Sequence, residues 1–353
     1  MRILIASCHP YIPELRGGAQ SSTHELVLAL RERGHDVGVV AGLAGSGWFG
    51  LRKRISLKIP GHKWVFDGQL GYPVYRSWFP RLQIVEICHD FQADVVLLQS
   101  GLPVALATAL KPTGIPVVIY FRNVESDDLG GNLADVKHLP FIANSHFTAE
   151  WFARSHNISA QVIYPMVDRA RYATPTSRQN VTFINPHPHK GVDIALGIAQ
   201  SCPGIPFVFV RAWTLSAEDE ALLSDRLRDL PNVSLLDPTS DMKAIYGRCR
   251  IVLAPSRWEE AFGRIAAEAH ISGIPVVGSN RGGLPEAIGP GGVTIGLDEP
   301  IETWSDIVRK LWNDENYYNS LSSAAMHYAQ REAMQPNSQL AAIEKILSDA
   351  MIK

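Results

Sequence analysis

Short apolar runs alternate with longer polar stretches along the first half of the chain. Runs fit for buried strands occupy residues 2–7, 36–41, 74–77, 94–98, 116–120, 140–144 and 161–165. Between the first two runs, residues 20–33 carry apolar side chains at helical spacing, and Gly34 ends that stretch. A strand, a glycine-containing loop, a helix and a second strand, in that order, predict a parallel α/β domain.

The same alternation returns in the second half of the chain. Strand-like runs occupy residues 181–184, 206–210, 233–236, 250–254, 275–278 and 293–295, and the pattern is helical from residue 301 almost to the end. Between the halves, residues 168–180 are polar and include Pro175, as is typical of a linker. We therefore expect a first domain at 1–167, a linker at 168–180, a second domain at 181–335 and a C-terminal helix within 336–353.

Composition narrows the class of protein. A chain of 353 residues, 46% hydrophobic and 19% charged, suits a globular enzyme of two domains. The net charge of −2 gives no reason to expect nucleic acid as a partner. The four cysteines are scattered without a CxxC pair, which indicates reduced thiols and a cytoplasmic location. No apolar run approaches a transmembrane length, so any membrane contact is expected to be peripheral, from the cytoplasmic side.

Residues 48–64 combine basic and aromatic side chains. The basic residues are Arg52, Lys53, Arg54, Lys58 and Lys63, and no acid stands between Asp36 and Asp67. Trp48, Phe49, Leu51, Ile55, Leu57, Ile59 and Trp64 are interleaved with them. This composition is typical of a membrane interface or of a contact with an anionic acceptor. A solvated loop whose aromatic residues cover the domain explains it equally well.

Two glycine patterns raise the question of phosphate binding. Gly17 and Gly18 precede the first helix, where they form either a plain turn or a loop whose backbone approaches a diphosphate. Gly45, Gly47 and Gly50 satisfy G-x-G-x-x-G, but they follow the second strand instead of the first. The dinucleotide fingerprint requires the first strand-to-helix turn, so we expect no nicotinamide or flavin cofactor.

The richest candidate chemistry lies in residues 254–277. A strand there is followed by Glu260, by Ala261, Phe262 and Gly263, and by a helix from Arg264 that contains Glu268 and ends near Gly273. The backbone N–H groups near Phe262, Gly263 and Arg264 are expected to form an anion site at the helix start. A phosphate held there would have Glu260 on its sugar side and Glu268 near vicinal hydroxyls. Taken alone, the two glutamates are also explained as ordinary helix charges.

Neighbouring residues make this stretch resemble a known family. Together with Ser256, Gly273, Pro275, Gly282-Gly283, Pro285-Glu286 and the earlier Lys190-Gly191, it is similar to the nucleotide-sugar site of retaining family 4 glycosyltransferases. The resemblance implies the GT-B fold, with two Rossmann-like, doubly wound parallel-sheet domains facing across a cleft. It also implies that the final helix crosses back to the first, acceptor-side domain.

The resemblance implies an activity as well as a fold. The expected reaction moves a sugar from a nucleotide-diphosphate sugar to a glycan, lipid-linked or small-molecule acceptor, without a metal or other cofactor. Lys190 would hold the diphosphate, Glu260 the transferred sugar, Glu268 the ribose hydroxyls, and Gly17-Gly18 would face the donor phosphates. Ala261, Phe262, Gly263 and Arg264 would complete the donor site.

The sequence departs from the family pattern at two places. Asn185 stands where an arginine is usual, so Arg211 or Arg264 would have to supply the missing charge. Arg122-Asn123 stands where a His-Asp pair is usual, and Gln99 near another common histidine. Arg122 beside the donor would favour an anionic partner: the diphosphate, an acidic sugar, or an acceptor that carries a phosphate or carboxylate.

Other candidate residues are interpreted as structural. His187 and His189 lie in a proline-containing loop without a further ligand, so no metal site is expected. Asp127-Asp128 is expected to be exposed, and no residue stands out as a general base, which agrees with retaining transfer. Two alternatives remain open: another GT-B nucleotide-sugar enzyme such as an epimerase or hydrolase, and a catalytically silent nucleotide-sugar-binding protein.

Overall fold

The computed structural model describes residues 1–45, 47–59 and 61–352. The chain divides into two compact units, Met1–Met166 with Pro336–Lys353, and Val167–Gln335. Pro60, within the basic segment 48–64, and Lys353 lie outside the described residues. Each unit is built on one sheet.

The first unit contains a sheet of eight strands in the order β3-β4-β2-β1-β5-β6-β7-β8. All neighbours are parallel except β3 and β4. The strands are β1 (Arg2–Pro10), β2 (Asp36–Gly42), β3 (Val65–Asp67), β4 (Val74–Ser77), β5 (Val95–Leu98), β6 (Val117–Phe121), β7 (Phe141–Ala143) and β8 (Gln161–Val162). The sequence pattern missed β3, which is a short antiparallel edge strand without a long apolar run.

Both faces of this sheet are covered, which explains why its strands read as continuous apolar runs. Along β1, Ile3 and Ile5 join the core on one face, and Leu4 and Ala6 join the core on the other. The helices in the first part of the chain are α1 (Gly18–Glu32), α2 (Gly47–Ser56), α3 (Pro80–Phe91), α4 (Pro103–Leu110) and α5 (His146–His156). Ser145 caps α5, where its side chain accepts a hydrogen bond from the Thr148 N–H at 2.9 Å.

The second unit contains a sheet of six parallel strands in the order β11-β10-β9-β12-β13-β14. They are β9 (Asn180–Ile184), β10 (Phe207–Val210), β11 (Val233–Leu236), β12 (Cys249–Ala254), β13 (Val276–Ser279) and β14 (Gly292–Ile295). The presence of two α/β domains, each built on a largely parallel sheet, confirms the predicted α/β fold class. In this sheet the strand order reverses between β9 and β12, and ligands of open α/β sheets bind at the carboxyl ends of strands at such a point.

Helices surround the second sheet and fill its core. They are α6 (Arg169–Tyr172), α7 (Val192–Ser201), α8 (Ala217–Arg228), α9 (Met242–Tyr246), α10 (Arg264–Ile271), α11 (Leu284–Ile288), α12 (Ile301–Asn313) and α13 (Glu315–Ala329). Trp304 of α12 and Tyr318 of α13 are fully buried against Phe183 of β9 and its neighbours. The segment expected to be a linker includes α6, whose Tyr172 carbonyl accepts from the Ser272 hydroxyl at 3.0 Å.

The last helix, α14 (Pro336–Ile352), belongs to the first unit. Its apolar face, Leu340, Ile343, Ile346 and Leu347, joins the core formed by β1, β5 and α1. Outside that core, Glu344 accepts hydrogen bonds from Arg33 at 2.8 Å and His35 at 2.9 Å. The amphipathic spacing of this segment therefore buries one helix face and leaves charged contacts at its border.

Candidate active site

The loops that follow β9 and β12 meet where the strand order of the second sheet reverses. The carbonyl of His189, in the first loop, accepts hydrogen bonds from the N–H groups of Arg257 and Trp258, in the second, at 2.9 and 3.0 Å. Gly191 ends the first loop with φ +77°, and a Cβ there would lie 2.0 Å from the Pro255 carbonyl oxygen. Only glycine fits this position, so the two loops can approach closely enough to place their side chains together.

Lys190 and Glu260, both predicted site residues, are brought into direct contact by these loops. The Lys190 Nζ lies 2.5 Å from Glu260 Oε1, and the Ser256 hydroxyl donates to the same oxygen at 2.9 Å. Both side chains are partly buried. The ammonium is therefore held at the reversal point by a carboxylate that an anionic ligand could replace.

The start of α10 supports the loop that carries Glu260. The helix begins at Arg264, as predicted, after Gly263 with φ +97°. The Gly283 N–H donates to the Glu260 carbonyl at 2.6 Å, and a Cβ on Gly282 would lie 2.3 Å from that carbonyl oxygen. Phe262 is buried between these elements. Because Gly282 and Gly283 have no side chains, this segment packs directly against the backbone of the loop that carries Glu260. The N-terminal end of α10 follows that loop in the chain.

Glu268 lies on α10 in a hydrogen-bonded cluster. Its Oε1 accepts from Arg264 Nε at 2.7 Å and its Oε2 from the Tyr246 hydroxyl at 3.0 Å. Arg264 also donates to the Tyr172 hydroxyl at 2.9 Å. Burial, together with the neighbouring Glu268 carboxylate, raises the pKa of Tyr246 well above its usual value, so this phenol stays a donor. The carboxylate is fixed in orientation and has further acceptor sites for hydroxyl groups.

The two arginines considered as substitutes for Asn185 both pair with carboxylates. Arg211 binds Glu220 through two nitrogens, each at 2.5 Å, and this hydrogen bonding lowers the pKa of Glu220. Arg264 is paired with Glu268 as described. Asn185 itself is buried, has φ +67°, and accepts a hydrogen bond from the Trp213 N–H at 3.1 Å. It therefore shapes the loop after β10.

His187 and His189 belong to a row of rings along the carboxyl ends of β10, β9 and β12. Their ring centroids are 5.0 Å apart; Trp213 packs against His187 at 5.4 Å and Trp258 against His189 at 4.9 Å. The Lys190 Nζ lies 5.0 Å from the centre of the Trp213 ring. Across the described ranges of the chain, no group of three or more His, Cys, Asp or Glu residues could hold a metal ion.

The first unit has its own polar cluster where its strand order reverses, between β1 and β5. Gly17 precedes α1 and Gly18 begins it. Arg122, at the end of β6, is buried, donates from Nε to Gln99 Oε1 at 2.9 Å, and lies 4.0 Å from the centre of the Tyr120 ring. The predicted residues Gly17, Gly18 and Arg122 are thus all at this edge of the sheet.

Sequence reasoning missed a second pair at this edge, His9 and Asp128. His9 Nε2 lies 2.8 Å from Asp128 Oδ1, and Asp128 Oδ2 accepts from Gly101 N–H at 2.9 Å and Asn123 Nδ2 at 2.7 Å. The expectation that Asp127-Asp128 is exposed is wrong for Asp128, whose side chain is 16% exposed. These residues are distant in sequence, and the only available signal was that His9 follows the first strand.

The basic segment folds as α2 and the turns after it, and was not recognised as a helix. Arg52, Arg54 and Lys58 are exposed, but Lys53 lies 3.5 Å from Asp67 Oδ2 and is mostly buried. Trp48 is 83% exposed, and Leu51, Ile55 and Ile59 are exposed with it. The Arg54 guanidinium lies 6.0 Å from the ring of Trp78, next to exposed Phe79 and Leu82. We call the exposed residues between Trp48 and Ile59, together with Trp78, Phe79 and Leu82, the α2 surface.

Two family models match the chain, one on each side of its centre. Residues 16–171 match "Glycosyltransferase Family 4" and residues 216–328 match "Glycosyl transferases group 1". The chain is 30% identical over 275 residues to the D-inositol 3-phosphate glycosyltransferase of Mycobacterium avium, covering 71% of this chain and 59% of that protein. The relative from Mycolicibacterium smegmatis is 30% identical over 212 residues, 54% of this chain and 48% of its own length. The chain thus spans about half the length of these relatives.

Solved structures of similar fold cover nearly the whole chain. Anabaena Alr3699/HepE in complex with UDP and glucose superposes with a TM-score of 0.77 at 21% identity, covering 99% of both chains. A glycosyltransferase from Rickettsia africae also has a TM-score of 0.77, at 16% identity, covering 99% of this chain and 98% of its own. At these identities the likeness establishes the fold.

Proposed function

Since this chain belongs to the family 4 glycosyltransferases and has their GT-B fold, we propose that it transfers a sugar from a nucleotide-diphosphate sugar to an acceptor hydroxyl, with retention of configuration. The contact between Lys190 and Glu260 carries this proposal, because it puts a cation and a carboxylate together at the strand reversal beside the start of α10. The UDP-bound relative HepE supports a nucleotide sugar as the donor.

Lys190, the start of α10, Glu260 and Glu268 each have a defined part in the proposed reaction. Lys190 exchanges Glu260 for the diphosphate and neutralises the charge that grows on it as the glycosidic bond breaks. The N-terminal end of α10 adds its dipole to the same charge. Glu260, released from Lys190 and still held by Ser256, accepts from hydroxyls of the transferred sugar, and Glu268 accepts from the ribose. The departing phosphate takes the acceptor proton, and no metal ion is required in this scheme.

The acceptor is proposed to be presented to the first unit at a membrane or on a glycan. The α2 surface combines exposed basic residues, Arg52, Arg54 and Lys58, with exposed Trp48 and Ile55. Cations that lie next to aromatic and aliphatic side chains favour the interface of an anionic bilayer. None of the helices formed by the described residues has the length and apolar character needed to cross a membrane. We propose that the protein works in the cytoplasm and contacts the membrane peripherally through this surface.

The competing proposal is a catalytically silent protein that binds a nucleotide sugar. It is motivated by the ion pairs that the basic residues of the candidate site already form. Lys190, Arg211 and Arg264 are all paired with carboxylates, so donor binding must break or share such contacts. A silent protein would bind the donor without forming product. An epimerase or hydrolase would consume the donor without any acceptor.

One experiment separates these proposals. Thermal unfolding is measured with a series of nucleotide sugars, because a ligand that binds only the folded chain raises its stability. The stabilising donor is then incubated with and without acceptors, and the anomeric configuration of the product is determined by NMR. Stabilisation followed by an acceptor-dependent product with retained configuration supports the proposed function. Stabilisation without consumption identifies a binding protein, and an inverted product contradicts the proposed stereochemistry.

A further inference from the structure

The loop between β10 and α8 places Trp213 beside Lys190 at the carboxyl edge of the second sheet. Arg211, where the loop begins, is paired with Glu220 of α8, and the Ser216 side chain caps that helix. The loop is therefore fixed at both ends. Between them, Trp213 is 38% exposed and lies outside the hydrophobic core of this unit. The position of this indole therefore depends on contacts outside the core.

The buried side chain of Asn185 joins the loop of Trp213 to the turn that carries Lys190. Its Oδ1 accepts a hydrogen bond from the Trp213 N–H at 3.1 Å. Its backbone carbonyl accepts from the His187 N–H at 2.7 Å, and the His187 carbonyl accepts from the Lys190 N–H at 2.8 Å. Asn185 has φ +67°, a conformation that asparagine adopts more readily than most residues other than glycine. One residue thus fixes the backbone on both sides of the contact.

The indole of Trp213 is a second partner for the Lys190 ammonium. The Nζ lies 5.0 Å from the centre of the ring, within the range of a cation–π interaction. The other described contact of this ammonium is Glu260, and the lysine side chain is only 19% exposed. Cation–π attraction is stronger where the cation is withdrawn from water. An anionic ligand can take the place of the carboxylate, but it does not compete for the face of the ring.

His187 supports the indole without adding charge. Its ring packs edge-to-face against Trp213 at 5.4 Å. Burial, with His189 and Lys190 nearby, lowers the pKa of His187, although Asp219 opposes this shift. The neutral ring accepts a hydrogen bond from the His189 N–H through Nδ1 at 3.2 Å. The imidazole therefore holds one side of the indole and places no second positive charge next to the ammonium.

We propose that Trp213 is a positioning residue for Lys190: its indole keeps the ammonium in place when an anionic ligand displaces Glu260. Asn185 acts one step further back, because it fixes the loop that carries the indole. The inference rests on the proposed function for the identity of that ligand, a nucleotide diphosphate. The hold of the ring on the ammonium can be measured without any ligand.

The first test measures that hold in a Glu260→Gln background, which removes the carboxylate charge as donor binding would. Trace acetylation with acetic anhydride and peptide mass spectrometry give the rate at Lys190 relative to the exposed Lys345 of the same chain. Trp213→Leu should raise this relative rate about fivefold, because the amine is no longer held against a ring. Trp213→Phe keeps a ring and should raise it less. Phe66→Leu removes an exposed ring from the first unit and is the control, with no change expected.

The second test is a double-mutant cycle on binding of uridine diphosphate, titrated to millimolar concentration. Trp213→Leu should weaken binding about tenfold in the parent chain and less than about twofold in a Lys190→Ala chain, because the ring acts through the ammonium. Trp213→Phe should recover much of the affinity, which a merely structural role of the indole would not predict. Equal weakening in both backgrounds would mean that the indole contacts the ligand itself, against the positioning role.

Asn185→Gly provides a second variant in case Trp213→Leu does not fold. Glycine adopts the positive φ freely, but it removes the acceptor of the Trp213 N–H, so acetylation of Lys190 should rise partway. Equal acetylation of Lys190 in the Glu260→Gln chain with and without the Trp213 and Asn185 substitutions would overturn the proposal. The expected acetylation pattern in a chain that neither binds uridine diphosphate nor transfers a sugar would count against the proposed function alone.

Discussion

The Lys190 Nζ lies 2.5 Å from Glu260 Oε1, although 69 residues separate them in the chain and each follows a different strand. The two strands, β9 and β12, are neighbours in the sheet, and Gly191 permits the close approach of their loops. A cation and an anion in contact hold each other in place without a ligand. In the proposed reaction, donor binding exchanges one charged partner of Lys190 for another, which limits the cost of removing its charge from water.

Replacement of Lys190 by alanine should reduce both donor affinity and turnover. The substitution removes a charge that we propose contacts the diphosphate in the ground state and in the transition state. We expect kcat/KM to fall by about two to three orders of magnitude, as for the loss of one preorganised oxyanion donor. Steady-state kinetics with varied donor concentration measure this. Lys310→Ala, at an exposed lysine of α12, is the control, and equal kinetics in both variants would contradict the assignment.

Substitution of Glu268 should affect stability and donor binding separately. Glu268→Ala leaves the buried Arg264 guanidinium without its carboxylate, which should lower the free energy of unfolding by about 3 kcal/mol. Glu268→Gln keeps the shape and some hydrogen bonds, and should raise the donor KM about tenfold with little change in kcat. Urea unfolding and donor kinetics measure the two effects. A fall in kcat alone would mean that Glu268 does not contact the ribose.

The pair of His9 and Asp128 should make stability depend on pH with a defined sign. The pKa of His9 is raised in the folded chain, so its contribution is complete below the ordinary histidine pKa of about 6.5 and is lost as pH rises through the folded value. Burial alone would raise the pKa of Asp128, but the hydrogen bonds from His9 and Asn123 hold it below its usual value. The contribution of Asp128 is therefore present above the ordinary Asp pKa and lost in strong acid.

The measurement is urea unfolding of the parent and His9→Gln chains between about pH 5 and pH 9. The stability difference should be largest near pH 5 and should shrink toward pH 9. His138→Gln, at an exposed histidine, should show no such trend. A difference that stays constant over the whole range would show that His9 gains nothing from its charge.

Binding of the α2 surface to membranes should depend on charge. Each basic residue near an anionic bilayer contributes about 1 kcal/mol, so replacing Arg52, Arg54 and Lys58 by serine should weaken binding roughly a hundredfold. Sedimentation with acidic and neutral vesicles measures the partition. A chain with Arg226, Arg228 and Lys310 replaced by serine loses the same charge from exposed positions of the second unit and is the matched control. Equal binding to acidic and neutral vesicles, or to neither, would exclude this surface as an electrostatic membrane contact.

The fold class could be predicted from the sequence, because the strands of a parallel sheet that is buried on both faces appear in the sequence as continuous apolar runs. Lys190, Glu260 and Glu268 could also be proposed as site residues from the sequence, since each lies next to glycines or helix signals that are local in sequence. The short edge strand β3 and the helix α2 could not. The strand β3 has only Val65, Phe66 and Asp67. The helix α2 exposes Trp48, Leu51 and Ile55, so no buried apolar face marks it as a helix in the sequence.

Only the tertiary structure decided which distant residues touch. Strand order, which no local pattern specifies, brings the carboxyl end of β1 beside the loops after β5 and β6, and so places His9 against Asp128. The folded chain also pairs Arg211 with Glu220 and Arg264 with Glu268. A count of basic residues in the sequence therefore overstates the positive charge that is available to a donor. The sequence determined which side chains are present and where each strand ends. The packing of the strands determined which charges are already paired, because electrostatic contacts depend on distance in space and not along the chain.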